Sequence, residues 1–193
     1  MSMNFAGRNI LILVSNGVDE SIMSSVQREL VKTGATVKAV GTETGLVNSW
    51  NSDTAIGSWG LYFPVDQQIG QTLGADFDFM VVPSGARSIQ KLGANPHAER
   101  ILSGFLESNK PVALIGDAVE LLAKTSLAKN WKVSGPEKSQ QILKAAGAEW
   151  QVEAECVHGP LLTGTAADAA AFIQRVFAHF TASAGDESLR AAA

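Results

Sequence analysis

The sequence predicts an α/β fold, a doubly wound and mostly parallel sheet sandwiched by helices in the flavodoxin-like manner, with a small C-terminal hairpin. Three observations predict it. Asn9 to Ser15 is an unbroken apolar run closed by a Gly-containing turn, the pattern of a strand covered on both faces. A helical spacing and a second β-branched run follow it, a βαβ opening whose crossover is right-handed. Two further apolar runs, Phe77 to Pro83 and Pro111 to Ile115, also give way to helical spacing.

Each element follows from its pattern. Ile22, Val26, Leu30 and Val31 recur at helical spacing between Glu20 and Thr33, with Gly34 in the C-terminal glycine position and Asp19 or Glu20 suited to cap the start. Thr36 to Val40 is the second strand. From Gly41 to Ile69 the rhythm breaks, and Gly45, Gly57, Gly60 and Pro64 separate short pieces that pattern alone does not order. Pro96 to Glu107 is a helix with Ile101, Leu102, Phe105 and Leu106 on its apolar face. Gly116-Asp117 joins the third clear strand directly to a helical run, Ala118 to Lys124. A short strand at Trp131 to Val133 and a helix from Pro136 to Ala146 come next. Strands Glu149 to Val157 and Leu161 to Thr163 then meet at the turn His158-Gly159-Pro160. A helix from Ala167 to Phe180 closes a single domain spanning 1–180, and 181–193 is read as a peripheral tail.

Composition bounds the function classes. With 193 residues, 46% hydrophobic and 18% charged, the chain is globular in character, and folding hides about 70% of its extended surface without a staple. A net charge of −4 with no Lys/Arg run argues against a nucleic-acid partner. The longest apolar run, Ile10 to Val14, is too short to span a bilayer, and a cytoplasmic protein without membrane association is expected. Cys156 is the single cysteine, which excludes an internal disulfide, a Cys-rich zinc site and a two-cysteine redox motif, and fits a reducing compartment. His97 and His179 lie far apart on helices with no ligand-like spacing, so neither metal nor cofactor is expected.

Several segments together resemble the ThiJ/PfpI superfamily, which has the class I glutamine amidotransferase-like fold. They are Leu11-Val14 followed by Gly17-Val18-Asp19-Glu20, Asp78 with Val81-Val82-Pro83-Ser84-Gly85, and the strand-elbow-helix from Val112 to Leu122. Ser134-Gly135-Pro136, Gly147-Ala148-Glu149-Trp150 and the Gly159 to Thr163 hairpin complete an order that covers about Arg8 to Phe180. The resemblance implies a nucleophilic cysteine at the elbow, where free helix amides favour a thiolate, and a glutamate in the first helix that assists it. The pair Leu121-Leu122 sets the register and puts Gly116 at the nucleophile position, with Asp117 after it. Counting back from Gly34 puts Ile22 at the glutamate position. A Pro-Gly-Gly turn that helps build an oxyanion hole is half kept, as Pro83-Ser84-Gly85. The stretch Ala113 to Ala118 is also similar to the Gly-Asp-Ala elbow of the C-terminal domain of large-subunit catalases. That domain lacks the cysteine, which implies a part in assembly or stability.

The resemblance therefore implies a non-catalytic relative that serves as an oligomerisation, stability or ligand-binding module with a link to stress responses, and commonly a homodimer or higher oligomer. The opposing reading is a divergent enzyme of hydrolase, lyase or glyoxalase type using Asp117, Ser84 or Cys156. An acid in the first turn of a helix needs only the dipole to account for Asp117. Cys156 and His158 share a strand face, yet no strand-to-helix elbow surrounds them, and a small apolar cysteine with an exposed turn histidine is the simpler reading. Arg87 is placed to reach across the elbow or pair with Asp117. The elbow is also a candidate small-molecule site. Trp50 and Trp59, in the unassigned stretch, fit either an interface or caps on the core.

Overall fold

The computed structural model describes residues 4–52, 56–165 and 169–191, with side chains in the last helix described through Ser183. Its main sheet has seven strands. In chain order they are β1 (Asn9–Val14), β3 (Thr36–Gly41), β6 (Gln67–Gln68), β7 (Phe79–Val82), β8 (Val112–Ile115), β11 (Glu155–His158) and β12 (Leu161–Gly164). The spatial order is β11-β12-β8-β7-β1-β3-β6, parallel throughout except for the edge strand β11. Among the described residues two small sheets complete the strands: β2 (Val18–Asp19) with β4 (Leu46–Asn51) and β5 (Ser58–Pro64), and β9 (Lys132–Val133) with β10 (Glu149–Trp150).

Strand alternation divides the core into two layers. Ile10, Ile12, Val14, Phe79, Val81, Ala113 and Ile115 face α1 (Glu20–Val31) and α6 (Ala169–Ala191). Leu11, Leu13, Met80, Val82, Val112 and Leu114 face α2 (Ala86–Gly93), α3 (Pro96–Glu107), α4 (Glu120–Lys124) and α5 (Gln140–Ala145). Burial on both faces is why these strands read as continuous apolar runs rather than alternating ones. Phe79 and Phe180 stack with ring centroids 4.4 Å apart, which ties the last helix to the centre of the sheet.

Several elements differ from the sequence reading for local reasons. Val31 is exposed, and Met23 takes its place on the buried face of α1. The expected strand Glu149 to Val157 is two strands: Glu149-Trp150 pairs with β9, and the chain then crosses to the main sheet. The helix α2 escaped notice because it is short, although Ser88, Ile89 and Leu92 have the right spacing. The unordered stretch from Gly41 is a bulged hairpin, β4-β5, that extends the short strand β2. The expected start of the last helix at Ala167 lies outside the described residues, and the helix runs past Phe180 to Ala191. Among the described residues no helix is long and apolar enough to cross a membrane.

His179 on α6 is buried, with its Nε2 2.7 Å from the Pro160 carbonyl. Burial pushes its pKa below the usual histidine value, partly offset by that hydrogen bond. A depressed folded-state pKa means that stability is full above the unfolded-state value of about 6.5 and is lost as pH falls through the folded value. Urea titrations across this range are therefore expected to show stability declining below neutrality, and a shallower decline in His179→Gln. Identical pH profiles would contradict the assignment.

Candidate functional site

The site sits where β8 runs without a loop into a helical turn. Val112–Ile115 is buried throughout, and the next residue, Gly116, has φ +58°, a left-handed conformation that carries the chain into a 3-10 turn over Gly116–Val119. Glycine takes this conformation freely, whereas an L-residue there is strained. This is the elbow expected from the register of Leu121-Leu122, both buried beneath it.

Ser84 occupies the space in front of the elbow. A Cβ added to Gly116 would lie 2.7 Å from the Ser84 Oγ and 3.1 Å from its Cβ. The Asp117 backbone N–H donates to that Oγ at 3.1 Å. The serine backbone also anchors the opposite loop, because the Asp19 N–H donates to the Ser84 carbonyl at 2.8 Å. Gly85 has φ +138°, and any Cβ there would come within 2.7 Å of the Asp19 N and the Gly17 carbonyl oxygen, so the loops after β1 and β7 touch backbone to backbone. The half-kept turn is thus a contact surface whose hydroxyl caps an elbow amide.

Around this centre the ionisable groups are paired in an unexpected way. The Asp117 carboxylate, mostly buried, meets Lys138 Nζ at 2.8 Å. Arg87, proposed from sequence as its partner, instead places its guanidinium 3.9 Å from the centroid of Trp50, a cation–π stack. Trp50 in turn makes an edge contact with Trp59 at 5.4 Å. The sequence reading missed Lys138 because it stands on a separate 3-10 turn, Glu137–Ser139, and nothing in its own neighbourhood marks it.

At the first helix, Asp19 is the cap: its Oδ1 accepts from the Ile22 N–H at 3.0 Å. Ile22 is buried among the apolar residues facing α1 and α6, so the position that the resemblance gives to the assisting glutamate holds a packed, non-titratable side chain. Glu20 reaches the hairpin instead. Its Oε2 accepts from the Leu61 N–H at 2.7 Å and from the Ser49 hydroxyl at 2.8 Å, and these bonds hold its pKa below the usual carboxylate value. Gly60 leaves room for that carboxylate, since a Cβ there would collide with it.

Cys156 and His158 lie on β11, at the far edge of the sheet from β1. Burial pushes the Cys156 thiol pKa up, Glu153 adds to the rise, and Lys132 opposes it, the reverse of what an activated thiol needs. His158 is half-buried rather than an exposed turn residue. Its Nδ1 accepts from the Lys132 N–H at 3.1 Å, and its ring meets Trp131 edge-on at 5.4 Å. No hydrogen bond joins Cys156 to His158 among the described residues. No group of three or more His, Cys, Asp or Glu able to hold a metal occurs among them either.

A family model described as the DJ-1/PfpI family matches residues 8–179. The chain belongs to the DJ-1/PfpI family. Among curated relatives, it is 31% identical to catalase HPII of Pseudomonas aeruginosa over 66% of this chain and 17% of the catalase. It is 35% identical to DJ-1 protein homolog E of Arabidopsis thaliana over 51% of this chain and 25% of that protein. The chain thus matches only a fraction of these two proteins. A putative cysteine protease, YraA of Bacillus subtilis, is matched over 94% of its own length at 26% identity. Among solved structures, a two-domain protein from Anabaena variabilis with DJ-1/ThiJ/PfpI-like and ferritin-like domains superposes with a TM-score of 0.79 at 20% identity. That match covers 92% of this chain and 48% of that one. Drosophila melanogaster DJ-1beta gives 0.76 at 18% identity, over 93% and 96% of the two chains. Both structures share the fold.

The crowding at the elbow predicts an epistatic pair. Gly116→Cys is expected to destabilise the protein by about 1–3 kcal/mol through the strained φ and the approach to Ser84. Adding Ser84→Gly should recover roughly 0.5 kcal/mol or more beyond additivity. Denaturant melts of the four members of the cycle would measure this. Strict additivity would show that Ser84 and position 116 do not compete for the same space.

Proposed function

We propose that this protein is a non-catalytic DJ-1/PfpI-family member that serves as an oligomerisation, stability or ligand-binding module, as the resemblance to the catalase-associated domain implies. The observation that carries the reading is the elbow itself: glycine stands at the left-handed position, and the hydroxyl of Ser84 takes the amide that follows it. Each replacement nucleophile lacks an activating partner among the described residues. There the Ser84 Oγ has the Asp117 amide as its hydrogen-bond partner, a donor that cannot remove its proton. Asp117 is engaged in an ion pair with Lys138, and Cys156 is held toward the thiol form. The partial match to catalase HPII fits this reading. The relatives named putative cysteine protease and deglycase, the latter from Thermococcus kodakarensis, define the competing enzymatic one.

Methylglyoxal and a peptide amide are the test substrates. The wild type is expected to turn over neither faster than Ser84→Ala, Asp117→Ala and Cys156→Ala. Turnover that one of these substitutions abolishes would establish the divergent enzyme.

The hairpin β4-β5 supports self-association. Trp59, Leu61 and Tyr62 are 52%, 56% and 65% exposed on a strand with no charged residue, a composition that edge strands in monomers usually avoid. Sedimentation should find a homodimer or larger oligomer that Leu61→Lys dissociates. A monomeric wild type would remove the interface reading.

A further inference from the structure

We propose that the cleft beside the elbow binds a small monocarboxylate through Arg87. The inference rests on reading the elbow as a ligand-holding site rather than a bond-breaking one. The strands β1 and β7 are neighbours whose following segments lead to opposite sides of the sheet, to β3 and to β8, and a crevice opens between their C-terminal loops. A cavity of about 200 Å³ lies there, lined by Gly17, Trp50, Gly85, Arg87, Asp117 and Lys138 among others.

Charge pairing singles out Arg87 within it. Asp117 pairs with Lys138, and Asp19, also in the lining, accepts from the Ile22 amide and the Ser21 hydroxyl through Oδ1. Arg87 makes no hydrogen bond or ion pair among the described residues, although two carboxylates line the same cavity. Its contacts are with aromatic faces, 3.9 Å from the Trp50 centroid and 5.9 Å from that of Trp59. Stacking engages the face of a guanidinium and leaves its in-plane N–H donors for a planar acceptor, which a carboxylate matches in two-point geometry.

The stem of Arg87 is fixed as well. A Cβ on Gly17 would collide with the Arg87 Cβ, so the loop after β1 closes directly against this side chain. Gly85, which precedes α2, offers no side chain to cap it, and Ala86 and Arg87 line the cavity at the helix start. Two cations and two carboxylates in the lining give no formal excess of charge. With two aspartates in the same lining, a single added negative charge is repelled less than a phosphate dianion.

Isothermal titration with acetate, propionate and inorganic phosphate tests the assignment. Saturable binding of acetate or propionate is expected, with phosphate roughly tenfold weaker or more, and a loss of roughly tenfold or more in Arg87→Gln. Arg87 is exposed, so Arg87→Gln should still fold cooperatively, with a thermal midpoint lowered only by the lost contact with Trp50. Absence of saturable carboxylate binding, phosphate binding of equal strength, or binding unchanged by Arg87→Gln would each overturn the proposal. Arg87-dependent binding together with methylglyoxal turnover would keep it and overturn the non-catalytic reading.

Discussion

The backbone at Gly116 is held in a left-handed conformation because two rigid bodies meet there without slack. Before it runs a strand with every residue buried, and after it a turn and the helix α4, whose Ala118, Val119, Leu121 and Leu122 are fully buried. The chain passes from strand to helical turn with no intervening residues, and the positive φ of Gly116 is where it bends. The serine hydroxyl, the Asp117–Lys138 pair and the contact between the β1 and β7 loops are all arranged around this point. A hydrogen in place of a side chain at the elbow relieves local strain, and Ser84 fills the freed volume and satisfies the amide that the turn exposes.

The same geometry keeps the framework with a glycine at the elbow, where the resemblance implies a cysteine. At the switch point of the sheet, Gly17 abuts the Arg87 side chain and Gly85 abuts the backbone of the loop after β1, so the two loops close on each other. That closure also creates a crevice, whatever residue stands at the elbow. Here the crevice is furnished by the hairpin, whose Trp50 supports Arg87, and the hairpin is itself fastened by Glu20. Glu20, two residues before Ile22, thus has an architectural role, accepting a backbone N–H and a hydroxyl.

Much of the fold was legible because burial on both faces writes itself into long apolar runs, as in Ile10 to Val14 and Val112 to Ile115. The elbow was legible for a similar reason, since Gly116-Asp117 sits between a buried strand and a leucine pair with no residues to spare. What escaped was decided by tertiary partners. The hairpin strands β4 and β5 are held by pairing with each other and with two residues of β2, so neither shows a buried strand's composition. Lys138 and Arg87 lie on different elements, and which of them meets Asp117 depends on Trp50 offering a flat surface to the guanidinium. Sequence spacing carries no trace of that choice. Val31 was misplaced because helical spacing admits two adjacent faces, and the sheet covers only the one that Met23 shares.

The central claim is that the Ser84 hydroxyl caps the elbow amide in place of a catalytic group. Site-resolved amide hydrogen exchange at Asp117 tests it most directly. The Asp117 N–H should be protected in the wild type and should exchange markedly faster in Ser84→Ala, with β8 amides unchanged in both. Rapid exchange in the wild type, or equal protection in Ser84→Ala, would contradict the account and leave the elbow amide free for another partner.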